Sequence, residues 1–222
     1  MTVLHLVDEG EAADLAAFLS RLLHYDRGAA VRLQAAGTAL AVFGRPPSFE
    51  VLAVRAVRLA KPYENGLDDT LDVTVSAGEL LESVDEQAAT AVVPGAVTGP
   101  PWAGVLPPRG GWRPEPGLPA PDALRSLVAA VVAEFRSRTQ ELPSEQRTRA
   151  ELDRIGRDIW SRTVADTRLP VRAVHAAQSL GFLRPEVPLG LFSSGAWLRL
   201  RTPYGSIAVR RAGLGALDVS VR

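Results

Sequence analysis

Nine of the chain's 17 prolines and six of its 19 glycines fall within the 28 residues Pro94–Pro121, PGAVTGPPWAGVLPPRGGWRPEPGLPAP. Proline lacks an amide donor and glycine resists ordering, so neither a helix nor a central strand is expected across this stretch. The segment therefore partitions the 222-residue chain. The expected organisation is an acidic α+β domain over 1–93, a connector over 94–121 and a basic, mostly helical domain over 122–222 that ends in a hairpin. Charge divides at the same place. Residues 1–108 carry 7 basic and 14 acidic side chains, net −7, and residues 109–222 carry 18 and 11, net +7. A formal net charge of zero thus conceals two halves of opposite sign.

With 46% apolar and 23% charged residues, the composition is that of a globular protein. There is no cysteine, which excludes disulfides, thiolate catalysis and cysteine-ligated zinc. The longest apolar run, Leu127–Ala133, is far shorter than the ~20 residues of a membrane span. The N-terminal MTVLHLVDEGE lacks the basic and apolar regions of a secretion signal, so a cytoplasmic protein without a membrane partner is expected. All but one of the 25 basic residues are arginine, Lys61 being the exception. With abundant Ala, Val and Gly, that bias reads as the mark of GC-rich coding. Arginine placement is therefore informative where arginine number is not.

In the acidic half, Val3–Val7 reads as a short strand. Asp8 is an N-cap, and Leu15, Phe18, Leu19, Leu22 and Leu23 form a helical stripe over about 9–24. Ala30–Gln34 and Ala39–Phe43 flank a turn at Gly37 and predict a hairpin. Phe49–Ala60 predicts a strand, with helix as the competing reading; a strand places Arg55 and Arg58 on opposite faces. Leu71, Val73 and Val75 alternate with polar residues as a half-buried strand, and Ser76 to Glu79 forms a capping box. A mainly antiparallel sheet with flanking helices is expected. His24, Asp26 and the isolated His175 are the only acid/base candidates, and a polar helix terminus is the favoured reading of the first two. Asp68, Asp69 and Asp72 lack the glycine-punctuated spacing of a calcium loop. No catalytic motif, metal site or cofactor site is expected.

The connector carries Trp102 and Trp112 beside Arg109 and Arg113. Exposing two tryptophans forfeits a large apolar contribution, so the segment is expected to lie down on one or both domains with the indoles as anchors. The other reading makes Trp102, Arg109 and Trp112 a contact surface for a protein partner.

The basic half opens on a helix from Pro121–Asp122, with Leu124, Leu127, Val128, Val131, Val132 and Phe135 at helical spacing. Ser144 is placed to cap a second helix, whose opposite charges neutralise one another. Pro170 starts a third and Gly181 ends it. Ala196–Thr202 and Ser206–Arg211 then flank a Pro-Tyr-Gly turn as a hairpin. This order resembles a winged helix-turn-helix over roughly 145–211. The resemblance implies a recognition helix bearing Arg172, His175, Gln178 and Ser179, and a phosphate-contacting wing bearing Arg199, Arg201, Arg210 and Arg211.

Three functions compete on these residues. The first is a non-enzymatic nucleic-acid-binding or regulatory protein whose basic half contacts DNA and whose acidic half regulates that contact or mediates assembly. The second is an interaction protein or homo-oligomer without DNA affinity, using the helix after Pro121 or the tryptophan segment. The third is an enzyme of unknown class.

Overall fold

A computed structural model describes residues 2–47, 49–60 and 71–210. The chain begins with β1 (Val3–His5) and α1 (Glu9–Tyr25), whose Asp8 cap accepts a hydrogen bond from the Glu11 amide. Strands β2 (Ala30–Ala36), β3 (Ala39–Gly44), β4 (Leu52–Arg58) and β5 (Asp72–Ser76) follow, then α2 (Ala77–Glu82) and β6 (Thr90–Val92). Strand β7 (Arg113–Glu115) lies inside the proline-rich connector. Helices α3 (Pro121–Gln140), α4 (Arg149–Trp160) and α5 (Val171–Ser179) precede β8 (Gly190–Ser194), β9 (Trp197–Thr202) and β10 (Gly205–Arg210). The architecture is α+β, as the patterning implies. Strand, not helix, wins over 52–58.

Eight strands join in one antiparallel sheet in the order β5-β2-β3-β4-β10-β9-β8-β7, and β1 pairs separately with β6. The β4–β10 pair, with Ile207 opposite Ala53, hydrogen-bonds the acidic half to the basic half without interruption. Helices cover one face of this sheet. Leu15, Phe18, Leu19 and Leu22 of α1 are buried with Leu33, Leu40 and Val57, and α5 packs over β10. The rings of Phe18 and Phe182 stack at 5.6 Å across the two halves. Gly205, at φ 157°, lets β10 start against the Phe182 ring, where a Cβ would come within 2.5 Å of a ring carbon.

Several boundaries differ from expectation. Ser144 opens only a short 3-10 turn, and Thr148 caps α4 instead, accepting from the Glu151 amide. The segment after Gly181 is not all loop, because Gly190–Ser194 forms β8. A strand survives in the connector because β7 is three residues long and sits at the sheet edge, where Pro114 has no ladder bond to lose on its outer side.

The winged-helix arrangement is corrected by the topology. The β9–β10 hairpin is hydrogen-bonded on both sides, to β8 and to β4, so it cannot project as a wing. Helix α5 is no free recognition helix either. Val171, Ala173, Val174, Ala176 and Ala177 are all buried, on the face of the sheet opposite Arg199 and Arg201.

Candidate functional site

The pleat decides which side chains face away from the helices. From β2 to β9 the outward residues are Arg32 and Gln34, Ala41 and Phe43, Leu52, Val54 and Ala56, Ser206 and Ala208, and Trp197, Arg199 and Arg201. Arg55 and Arg58 apart, strand β4 is apolar on both faces, with the helical layer over one and the connector over part of the other. On the outer side Phe43, Leu52, Val54 and Ala208 form a second buried cluster, closed by Trp102 and Leu106 of the connector.

The connector is thus a strap over the open face. Val97 donates to the Thr74 carbonyl and Ala96 bridges Val75, which fixes its start on edge strand β5. Arg32 donates to the Ala103 carbonyl and is paired with Asp72, whose carboxyl it holds below the usual carboxylate range, chiefly by that hydrogen bond. At the far end Trp112 Nε1 donates to the Pro108 carbonyl, and Ser194 Oγ donates to the Gly110 carbonyl. The chain then enters β7. The expected docking of the segment is therefore observed, with Trp102 as its intramolecular anchor.

Beyond the strap, a cleft of about 830 Å³ opens over β8, β9 and β10, with Trp112, Phe192, Arg199, Arg201 and Ser206 in its lining. Arg199 is half-buried. Its Nε donates to Ser206 Oγ at 2.9 Å, and its guanidinium lies 5.5 Å from the centre of the Trp112 ring. Burial, and then the neighbouring Arg201 charge, push it below its ordinary value, yet an arginine remains cationic at neutral pH. Among the described residues no carboxylate pairs with Arg199 or Arg201. A desolvated cation held beside a like charge is electrostatically unsatisfied, and an anion would relieve it.

Several other arginines of the basic half are paired instead. Arg138 and Arg162 bridge α3 and α4 through Asp158 and Glu134, at 2.6 and 2.7 Å, and Arg154 pairs with Glu151. Those charges are neutralised, as expected of the second helix, within α4 by the Arg154–Glu151 pair at 2.5 Å and also across to α3 by the other two.

The residues predicted for DNA contact separate into two groups. Arg199, Arg201 and Arg210 belong to the open face. Arg172, His175 and Gln178 lie on α5 among the helices, with Arg172 Nε and Gln178 Oε1 buried and unpartnered. The His175 ring stacks on Trp160 at 4.6 Å and meets Phe49 edge-on, and burial lowers its pKa from the ordinary 6.5. Arg211, Asp68 and Asp69 lie outside the described residues. Arg109 is at the rim of a smaller pocket beneath the strap. His24 rests against Tyr25, while the Asp26 carboxylate accepts from the Gly28 amide as a turn cap. Helix α3 spends Leu124, Val128 and Val131 on the core and leaves small residues such as Ala129 and Ala133 outside. Phe192 and Ser206 escaped the sequence reading. The first lies in β8, a strand the sequence reading did not place, and the second matters only through Arg199.

Two families of unknown function match the chain. Residues 1–104 match a domain of unknown function (DUF8010), and residues 107–214 match another (DUF8185). The two matches meet in the strap, between its Trp102 anchor and Trp112. No curated protein matches. Among the described residues no helix is long and apolar enough to cross a membrane.

Proposed function

We propose that the chain is a non-enzymatic nucleic-acid-binding protein that receives its ligand on the open face of the sheet. The observation that carries this reading is the pair Arg199 and Arg201, two guanidinium groups in one cleft without a carboxylate partner among the described residues. Phosphates would meet the arginines, and the exposed flanks of Trp112 and Phe192 offer flat apolar surface to bases. Arg210, on the same pleat, extends the positive strip. The contact differs from that of a winged helix, since sheet and strap replace recognition helix and wing.

The test is fluorescence anisotropy with labelled oligonucleotides at low salt, comparing wild type with the Arg199→Ala/Arg201→Ala variant. The reading expects binding that weakens by about tenfold or more in the variant, since each hydrogen bond to a charged group contributes ~1.5–3 kcal/mol. Matching affinities with an unchanged melting temperature would rule out the cleft. A concentration-dependent mass together with no oligonucleotide affinity would instead favour self-association.

A further inference from the structure

A second hollow, of about 240 Å³, lies between the sheet and the strap. Ala41, Phe43 and Val54 form its floor, and Pro107 and Pro108 of the strap form its roof. Its rim is polar, with Gln34, Arg109 and Arg199. Gln34 is oriented by donating its amide nitrogen to Asp72 at 2.9 Å, so its carbonyl oxygen is left for another donor. The hollow shares Val54 and Arg199 with the open cleft, which places Arg199 at the junction of the two. An apolar slot between a ring and two prolines, bordered by an amide and by cations, suits one planar heteroaromatic ring attached to an anion.

Building on the proposed nucleic-acid reading, we propose that the ligand is single-stranded and that one base is lodged beneath the strap while its phosphate meets Arg199 at the junction. A paired base cannot take this position, because its edge and both faces are occupied within the duplex. No described element projects from the sheet to enter a duplex groove either. The strap is held over the slot by Trp102 and by the Arg32 bond to the Ala103 carbonyl, so the slot is preformed.

The experiment compares three probes on the full chain: a single-stranded oligonucleotide, its duplex, and an abasic strand of equal length. The single strand is expected to bind about tenfold or more tightly than the abasic strand, the scale of one stacked base, and more tightly than the duplex. The Ala41→Leu variant, which fills the floor of the slot, is expected to reduce the advantage over the abasic strand. If Ala41→Leu does not fold, the wild-type comparison of probes decides alone. A duplex that binds as well as the single strand, or an abasic strand that binds as well as the normal one, overturns the slot but leaves nucleic-acid binding intact. Failure of all three probes to bind overturns both.

Discussion

Arg55 and Arg199 sit on adjacent parts of one sheet, face opposite ways, and have opposite electrostatic surroundings. Arg55 points into the helical layer, where its side chain is 6% exposed. Its guanidinium donates to Glu11 at 2.6 Å, to Asp14 at 3.3 Å and to the Tyr204 carbonyl at 2.7 Å. Arg58, at the end of the strand, turns back to the other oxygen of Glu11, and Arg184 reaches Asp14 while lying over the Tyr204 ring. The charges of that cluster are paired, although Arg55 Nε has no hydrogen-bond partner among the described residues, and the cluster ties α1 to both halves of the sheet. Arg199 has one serine, one indole and a second arginine. Within one fold the same residue type serves cohesion where acids surround it, and where they do not its charge is left for the proposed ligand.

Breaking the paired cluster should have the largest effect. Arg55→Ala leaves Glu11 buried with less compensation, and a loss of about 3–5 kcal/mol in denaturant-induced unfolding is expected. Arg199→Ala should cost the fold far less, so near-equal losses would erase the contrast. Next comes the strap. Trp102→Ala should destabilise by ~1–3 kcal/mol, below the range for a fully buried aromatic because Trp102 is only half-buried. It should also speed protease cleavage between Gly95 and Gly117; unchanged cleavage would mean that other contacts hold the strap.

The pH response is a smaller effect on the helical side. Burial lowers the His175 pKa below its ordinary 6.5, so the unfolded chain binds the proton more readily. The contribution of this group is complete above 6.5 and is lost as pH falls below it. His175→Phe, which keeps a ring against Trp160, should flatten the stability profile below pH 6.5. An identical profile would show that the imidazole is not the titrating group. The smallest change is expected on the solvent side of the strap itself, where Val105 is half exposed. Val105→Ser should alter stability by no more than about 0.5 kcal/mol.

Local patterning made much of this fold legible. The Asp8 cap and leucine stripe located α1, turn chemistry located the β2–β3 and β9–β10 hairpins, and the period of two put Arg199 and Arg201 on one side of β9. Pairings between distant segments were not legible, because they depend on the whole chain. Nothing near residue 207 announces that Ile207 lies opposite Ala53, and that pairing is what turns two charge-divided halves into one sheet. The partner of Arg55 is 44 residues away, so its burial could not be read from the strand alone. The winged-helix likeness failed for the same reason: element order says nothing about which edges of a hairpin are already hydrogen-bonded. One signal was available and went unused. Arg55 apart, Val51 to Val57 are apolar without alternation, which calls for cover on both faces of β4, and the connector supplies it on the outer one.

The most direct test of the account is the salt dependence of single-strand binding in wild type and in Arg199→Ala/Arg201→Ala. If both guanidinium groups hold phosphates, the slope of log affinity against log salt should become shallower in the variant by about 1.4, two contacts at ~0.7 each. Identical slopes would mean that the unpaired arginines of the open face contact no phosphate, and the central claim would be contradicted.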